Sequence, residues 1–128
     1  MATLEVFLDD ELQTRFPIES SRILLGRDLG CDLRINDPTV SRKQALVVFD
    51  GSHFCVYSMA DQNPTLVGPH TANGIQLEDQ DSFSFSRYRV VFSTKGGLDT
   101  ELLKTQTVDN LFGGIKDPEA TRLGLYHK

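Results

Sequence analysis

The stretch that decides the fold covers residues 26–44 and reads GRDLGCDLRINDPTVSRKQ. It places Arg27 at the end of one short apolar run and the triplet Ser41-Arg42-Lys43 in the loop after another. A phosphate dianion needs a guanidinium for charge-assisted bonds, with hydroxyl and amide donors around its remaining oxygens. Loops on a rigid β-scaffold supply such groups, so the stretch predicts a phosphate site on a β-protein.

Short apolar runs broken by turn residues extend from Leu4 to about Ser93, which is typical of an all-β sandwich or barrel. Asp50-Gly51 is the best hairpin signal because both residues tolerate a positive φ. Asn73-Gly74 is a further predicted turn. The predicted strands cover residues 4–8, 15–18, 23–25, 33–35, 45–49, 54–57, 65–67, 82–85 and 88–92.

The composition changes after Gly96-Gly97. Apolar residues between Leu98 and Phe112 fit a loosely amphipathic helix, and the residues from Asp117 to Gly124 carry helix start and stop signals. We therefore expect a β-sandwich over residues 1–94 and an extension or linker, partly helical, over residues 95–128.

The bulk composition argues for one domain that binds its ligand locally. The 128 residues carry 13 Lys and Arg against 18 Asp and Glu, so long-range attraction to nucleic acid or to an anionic membrane is not expected. The first residues lack a cationic start followed by an apolar run, which favours an intracellular location, nuclear or cytoplasmic. Neither cysteine has a metal-ligand neighbour, and both are interpreted as reduced, buried thiols.

The three histidines, His53, His70 and His127, form no metal-ligand or triad pattern. The sequence therefore predicts a protein that is not an enzyme and that uses no cofactor and no metal.

Taken together, five motifs resemble the forkhead-associated (FHA) family in order and approximate spacing, over about residues 3–93. The motifs are Gly26-Arg27, residues 31–35, Ser41-Arg42, Asn63-Pro64-Thr65 and residues 77–83. The resemblance implies an FHA/SMAD-like sandwich of about eleven strands in two sheets, which binds phosphothreonine peptides through loops at one end.

The resemblance also implies roles for individual residues. Arg27 and Ser41 would contact the phosphate, with Arg42 as a further phosphate-side residue and Lys43 as an auxiliary cation. Gln62 and Asn63 would meet the peptide backbone. Gly26, Gln44 and Thr65 would support the site.

Three departures from the family pattern leave a second interpretation open. Gln44 stands where the family has a histidine, Gly68-Pro69 replaces a second Asn-Gly, and Gln80 replaces a turn glycine. The alternative is a structural or dimerisation module that no longer binds phosphate.

Many FHA domains precede a kinase domain, so the resemblance also suggests the N-terminal part of a checkpoint or meiotic kinase, acting in the cell cycle or in DNA damage signalling. Thr105-Gln106 is a dipeptide that damage-responsive kinases favour. It suggests phosphorylation-dependent self-association, in which the tail of one molecule docks on another.

Overall fold

A computed structural model describes residues 2–94 and 106–109 of the chain. These residues form twelve β-strands. The strands are β1 (Thr3–Leu8), β2 (Glu11–Pro17), β3 (Arg22–Gly26), β4 (Leu33–Asn36), β5 (Ala45–Phe49), β6 (Phe54–Ser58), β7 (Leu66–Val67), β8 (His70–Thr71), β9 (Asn73–Leu77), β10 (Ser82–Phe85), β11 (Tyr88–Ser93) and β12 (Gln106–Asp109).

The strands form two six-stranded sheets. The first sheet has the order β2-β1-β11-β10-β7-β8, and the second has the order β12-β4-β3-β5-β6-β9. Neighbouring strands are antiparallel except for β3–β4 and β4–β12, which are parallel. The prediction of an all-β, two-sheet sandwich of about eleven strands is confirmed, and β12 is one strand more than the eleven found within residues 2–94.

The core lies between the sheets because alternate residues of each strand point inward. Phe83 and Phe85 on β10, and Tyr88 and Val90 on β11, are buried, as their alternation with serine and arginine in the sequence predicts. The second sheet faces them with a matching row of buried aliphatic side chains. These are Ile23, Leu25, Leu33, Ile35, Val47 and Val56.

The hairpin predicted at Asp50-Gly51 joins β5 to β6 through a four-residue loop. Only Gly51 takes a positive φ, of 103°. Asp50 instead accepts hydrogen bonds at Oδ1 from the amides of Ser52 and His53, both at 2.8 Å. The loop is therefore closed by a side chain as well as by a glycine.

The turn predicted at Asn73-Gly74 is wrong, because both residues lie within β9. The pairing of β9 with β6 shifts register between Val56 and Tyr57, and Gly74 takes a φ of 80° at this irregularity. Gly74 also lies under the Tyr57 ring, where an added Cβ would come within 3.2 Å of the ring. The glycine therefore marks a β-bulge and a close contact, not a chain reversal.

The helix predicted between Leu98 and Phe112 is wrong at residues 106–109, which form β12. This short strand pairs in parallel with β4, from Gln106 beside Leu33 to Asp109 beside Asn36, and Val108 is buried against the core. Strand pairing and core burial outweigh a weak local helical period. The other residues of that helix, and the helix predicted from Asp117, lie outside the described residues. The boundary at residue 94 stays a prediction.

The strand directions define two ends of the sandwich. The Arg27 end comprises the turns 9–10 and 86–87 and the loops 27–32, 37–44 and 59–65. The Phe49 end comprises Ala2, the loops 18–21, 50–53 and 78–81, and Thr94.

Candidate functional site

The loops that follow β3 and β4 lie side by side at the Arg27 end. The amide of Arg27 donates to the Ser41 carbonyl at 3.0 Å, and the amide of Asp28 donates to the Arg42 carbonyl at 3.1 Å. The amide of Gln44 in turn donates to the Leu25 carbonyl at 2.8 Å. The ladder between β3 and β5 thus continues beyond the strands and brings Arg27 next to Ser41.

Gly26 is the residue that allows this close approach. A Cβ at this position would lie 2.2 Å from the carbonyl oxygen of Arg42 and 3.0 Å from the amide nitrogen of Gln44. Both atoms belong to the backbone and cannot rotate away. Only glycine fits between these two segments without moving one of them.

The Arg27 side chain is half-buried, and both its side chain and its backbone carbonyl are hydrogen-bonded. Its Nε donates to the Val40 carbonyl at 2.9 Å, and the Nε of Arg34 donates to the Arg27 carbonyl at 2.8 Å. Within residues 2–94 and 106–109, the terminal nitrogens of Arg27 have no hydrogen-bond partner. The ion pairs of the described residues lie elsewhere, at Arg15–Glu5, Arg87–Asp9 and Arg89–Asp10.

Gln44 is the centre of the site and is completely buried. Its Oε1 accepts from the Ser41 amide at 2.9 Å and from Asn63 Nδ2 at 3.3 Å. Its Nε2 donates to the Asn63 carbonyl at 2.7 Å and to Thr65 Oγ1 at 3.1 Å. One amide therefore ties the Ser41 loop to the loop that carries Asn63.

Asn63 and Thr65 also donate hydrogen bonds back to the loop 37–44. Asn63 Nδ2 also donates to the Thr39 carbonyl at 3.0 Å, and the Thr65 hydroxyl donates to the Gln44 carbonyl at 3.0 Å. Thr65 is fully buried and Asn63 is half-buried. Five of the residues predicted from the sequence thus adjoin Arg27 in one hydrogen-bonded unit. They are Gly26, Ser41, Gln44, Asn63 and Thr65.

The other three predicted site residues, Arg42, Lys43 and Gln62, have exposed side chains on the rim of this unit. Arg42 contributes its backbone: its carbonyl accepts a hydrogen bond from the Cys31 thiol at 3.3 Å as well as the one from Asp28. Burial raises the pKa of that thiol, so Cys31 stays protonated and can donate. Cys31 is buried as predicted, whereas Cys55 is only half-buried, and both are free thiols.

A known family matches the part of the chain that contains these residues. The family model described as the FHA domain matches residues 23–86, which is half of the chain. The chain belongs to the FHA family. The matched segment includes Gly26, Arg27, Ser41, Gln44 and Asn63, so the hydrogen-bonded unit lies entirely within it.

Two curated proteins resemble this FHA domain over part of their length. The proliferation marker protein Ki-67 of Mus musculus is 31% identical over 64 residues, which cover 50% of this chain and 2% of that protein. The glycogen accumulation regulator GarA of Mycolicibacterium smegmatis is 28% identical over 81 residues, which cover 63% of this chain and 51% of that protein. The chain thus spans a small part of the first relative and about half of the second.

A solved structure with the same fold is that of Mycobacterium tuberculosis EmbR in complex with a low-affinity phosphopeptide. The TM-score is 0.66 at 19% identity, and the match covers 77% of this chain and 25% of that chain. At this level of identity the likeness establishes a shared fold.

Four residues that no sequence motif singled out support the candidate site from behind. Asp37 is buried and accepts from the Tyr88 hydroxyl at 2.8 Å and from the amide and hydroxyl of Thr39 at 2.8 and 2.7 Å. The hydroxyls of Thr39 and Ser86 lie 2.6 Å apart. The Asp-Pro-Thr sequence is a local signal for the Asp37–Thr39 turn, but no local signal predicts Tyr88 or Ser86, which come some fifty residues later in the chain.

Residues 2–94 and 106–109 include neither a membrane-spanning helix nor a cluster of metal-binding side chains. No helix among them is long and apolar enough to cross a membrane. Likewise, residues 2–94 and 106–109 contain no group of three or more His, Cys, Asp or Glu side chains that could hold a metal ion.

Proposed function

We propose that this FHA domain is a phosphorylation-dependent interaction module that binds phosphothreonine peptides at its Arg27 end. The observation that carries the proposal is the junction of Arg27 with the Ser41 loop. A backbone hydrogen bond joins Arg27 to Ser41, and the Arg27 guanidinium bonds to Val40 of the same loop, so the two loops that carry these residues are fixed to each other. The EmbR structure, of the same fold, contains a phosphopeptide.

The donors still free in this unit suit a phosphate group. Arg27 Nε is engaged with Val40, so the two terminal nitrogens are left to meet two phosphate oxygens end-on. The Ser41 amide is engaged with Gln44, so Ser41 would act through its hydroxyl. Arg42 and Lys43 on the rim would add positive charge around the remaining oxygen.

Asn63 is suited to hold the peptide main chain. Its Nδ2 is already bonded to Thr39 and Gln44, which fixes the orientation of the side-chain amide. Oδ1 is then able to accept a hydrogen bond from a peptide N–H. Gln62 lies exposed beside it. Selection of threonine over serine would rest on burial of one methyl group, which is worth about 0.8 kcal/mol.

Replacement of Arg27 by alanine tests the proposal directly. Isothermal titration with phosphothreonine peptides selected from a library should show a fall in affinity of roughly 30-fold or more, because a charge-assisted contact to a desolvated anion is lost. Arg15→Ala is the matched control, since Arg15 is an exposed arginine on the other sheet. An Arg27→Ala protein that stays folded and binds as tightly as the wild type would contradict the proposal.

The same titration repeated against pH gives a second readout. The second ionisation of the phosphate lies near pH 6, so affinity should fall as the pH decreases from about 7 to about 5. Arg27→Ala should flatten this dependence, because the lost contact is the one that recognises the dianion.

The second candidate is an FHA-like structural or dimerisation module that does not bind phosphate. It is favoured by Gly68-Pro69, which forms the tight turn between β7 and β8 where the family has Asn-Gly. The replacement of histidine by Gln44 supports this alternative less, since the Gln44 side chain makes four hydrogen bonds within the site. Titration that gives no phosphate-dependent heat with any library peptide would favour this module.

Membership of the FHA family supports an interaction module over an enzyme, and an intracellular phosphoprotein as the partner, in the nucleus or the cytoplasm. A position before a kinase domain and a role in the cell cycle or DNA damage checkpoint stay predictions. Self-association through phosphorylated Thr105 also stays a prediction. Thr105 lies outside the described residues, directly before β12, and Thr105→Ala should abolish kinase-dependent dimerisation if that residue is the ligand.

A further inference from the structure

A groove of about 420 Å³ opens at the Phe49 end, opposite the phosphate loops. Its walls are mainly apolar and come from both sheets, with Phe54 and Leu77 on one side and Ala2 and Phe92 on the other. The volume lies in the range of sites that hold a small ligand or one or two large side chains. The proposed function makes no use of this groove.

Three aromatic rings line the groove in sequence. The ring centroids of Phe49 and Phe54 are 4.9 Å apart, and those of Phe54 and Phe92 are 5.5 Å apart. Phe92 belongs to the buried core, whereas Phe49 is 39% exposed. The row therefore runs from the core to the surface and leaves an aromatic face open to a partner.

The loops around the groove are rich in carboxylates. The loops 18–21, 50–53 and 78–81 hold five carboxylates and, within these described loops, no lysine or arginine. Glu78 lines the groove itself. Hydrogen bonds from the amides of His53 and Ser52 lower the pKa of Asp50, so that this carboxylate is ionised at neutral pH. The remaining three acids are Glu19, Asp79 and Asp81.

The described cation closest in sequence to these loops is Arg22, which directly follows the loop 18–21 and pairs with Val48. Lys95 follows Thr94 directly in the sequence and lies outside the described residues. An apolar groove with an acidic rim is complementary to an apolar side chain flanked by basic residues, because the rim attracts the flanks while the groove desolvates the centre.

We propose that the Phe49 groove is a second docking site, which binds unphosphorylated peptide segments of a partner protein that carry one or two large apolar residues flanked by Lys or Arg. The site is independent of phosphate recognition. A single partner could engage both ends of the domain, and the affinities would then reinforce each other.

Selection from a phage-displayed library of random, unphosphorylated peptides tests the proposal on the full chain. The expected consensus is a large apolar or aromatic residue with basic neighbours. Affinity of a synthetic consensus peptide, measured by fluorescence anisotropy, should fall at least tenfold in Phe49→Ser. Tyr57→Ser is the matched control, because Tyr57 is an aromatic residue of the same 39% exposure away from the groove.

A double variant tests the contribution of the loop carboxylates to peptide binding. Asp50→Lys combined with Glu78→Lys should weaken the peptide about tenfold at low salt, and the difference should shrink at high salt because rim charges are screened. Arg27→Ala should leave the affinity unchanged, so failure of this proposal and failure of the phosphate site are separate results. Circular dichroism establishes that each variant is folded.

Four results would overturn the proposal. The first is a selection that yields no consensus or an acidic one, and the second is binding that survives Phe49→Ser. The third is a concentration-dependent dimer that Phe49→Ser abolishes, which would assign the groove to a second copy of the chain. The fourth is an affinity that rises at least tenfold in Lys95→Gln or Leu98→Ser, which would assign it to the segment after Thr94.

Discussion

The two ends of the sandwich are held together in different ways. At the Arg27 end, side chains bond to loops far away in sequence: Gln44 to Asn63, Asn63 to Thr39, and Tyr88 to Asp37. At the Phe49 end, the loop carboxylates mainly close their own turns, as Asp50 does with Ser52 and His53, and Asp81 with Glu78. One end is a network of bonds between loops, whereas the other has mostly local turns, apart from Asp79, which accepts from the Thr94 amide at 2.8 Å.

This difference matches what each end would have to do. A phosphate held by groups from two loops requires those loops to keep a fixed distance, and buried hydrogen bonds between loops provide that rigidity. A groove that accepts an apolar side chain needs shape and burial more than fixed polar geometry. Substitutions at the Arg27 end should therefore affect both stability and binding, whereas those at the Phe49 end should act one loop at a time.

The largest effect is expected for Gly26→Ala. The new Cβ would meet the Arg42 carbonyl at 2.2 Å, so one of the two loops must move, at a cost of roughly 3 kcal/mol in the free energy of unfolding. Phosphopeptide binding should be lost at the same time. Gly30→Ala is the control, because nothing lies within 4 Å of its added Cβ. Equal denaturation midpoints for the two variants would refute the network account.

Gln44→Met should come next. Methionine fills a similar volume but leaves the Ser41 amide and the Asn63 carbonyl without their partner, which should cost about 2 kcal/mol. Phosphopeptide affinity should fall as well, since the loop that carries Ser41 keeps only the Thr39 bond to Asn63. Urea unfolding and titration measure the two effects. Gln62→Met, in the loop that carries Asn63 and with an exposed side chain, should change stability by less than about 0.5 kcal/mol.

Tyr88→Phe should have a smaller effect on stability. It removes one hydrogen bond to the buried Asp37 carboxylate, worth about 1.5 kcal/mol, and leaves the ring in place. Because Asp37 also holds Thr39, the phosphopeptide should dissociate faster, which stopped-flow measurements would detect. Tyr57→Phe removes an exposed hydroxyl and serves as the reference. No change in either quantity would mean that the first sheet does not support the site.

The smallest effect is expected at the Phe49 end, for Asp50→Asn. Amide hydrogen bonds from His53 and Ser52 lower the pKa of Asp50 in the folded protein below its ordinary value of 3.8. The carboxylate therefore stabilises the fold above about pH 4, and this contribution disappears as the pH falls through the lowered pKa. The stability difference between wild type and variant should be constant above pH 5 and shrink below pH 4. A stability difference that grows as the pH falls would contradict the lowered pKa of Asp50.

The strands were predictable where a local pattern was strong. Alternation over residues 82–85, and the apolar run at 45–49 next to the Asp50-Gly51 hairpin signal, predicted β10 and β5 with their observed bounds. The bulge at Gly74 was not predictable, because it depends on the Tyr57 ring of the neighbouring strand. The strand β12 was not predictable either, because its four residues form a strand through pairing with β4, some seventy residues earlier.

The candidate site was likewise predictable only in part. The motif order predicted that Arg27, Ser41, Gln44 and Asn63 belong together, and the structure brings them into one unit. The support from Asp37, Thr39, Ser86 and Tyr88 arises from contacts between the two sheets, which no short window of sequence contains. Gln80 is an intermediate case: it adopts a φ of 75° at the position where the family has glycine, so the turn persists although the usual residue is absent.

The parallel pairing of β12 with β4 has a practical consequence for fusion proteins. Asp109 ends beside Asn36, next to the loops that would bind phosphate, while Ala2 borders the groove at the opposite end. Ala2 thus lies at the Phe49 end of the sandwich, and β12 ends at the Arg27 end. A fluorophore or affinity tag joined directly after residue 109 would crowd the loop 37–44, and one joined ahead of Ala2 would crowd the groove. The label for each binding assay therefore belongs at the other of these two positions.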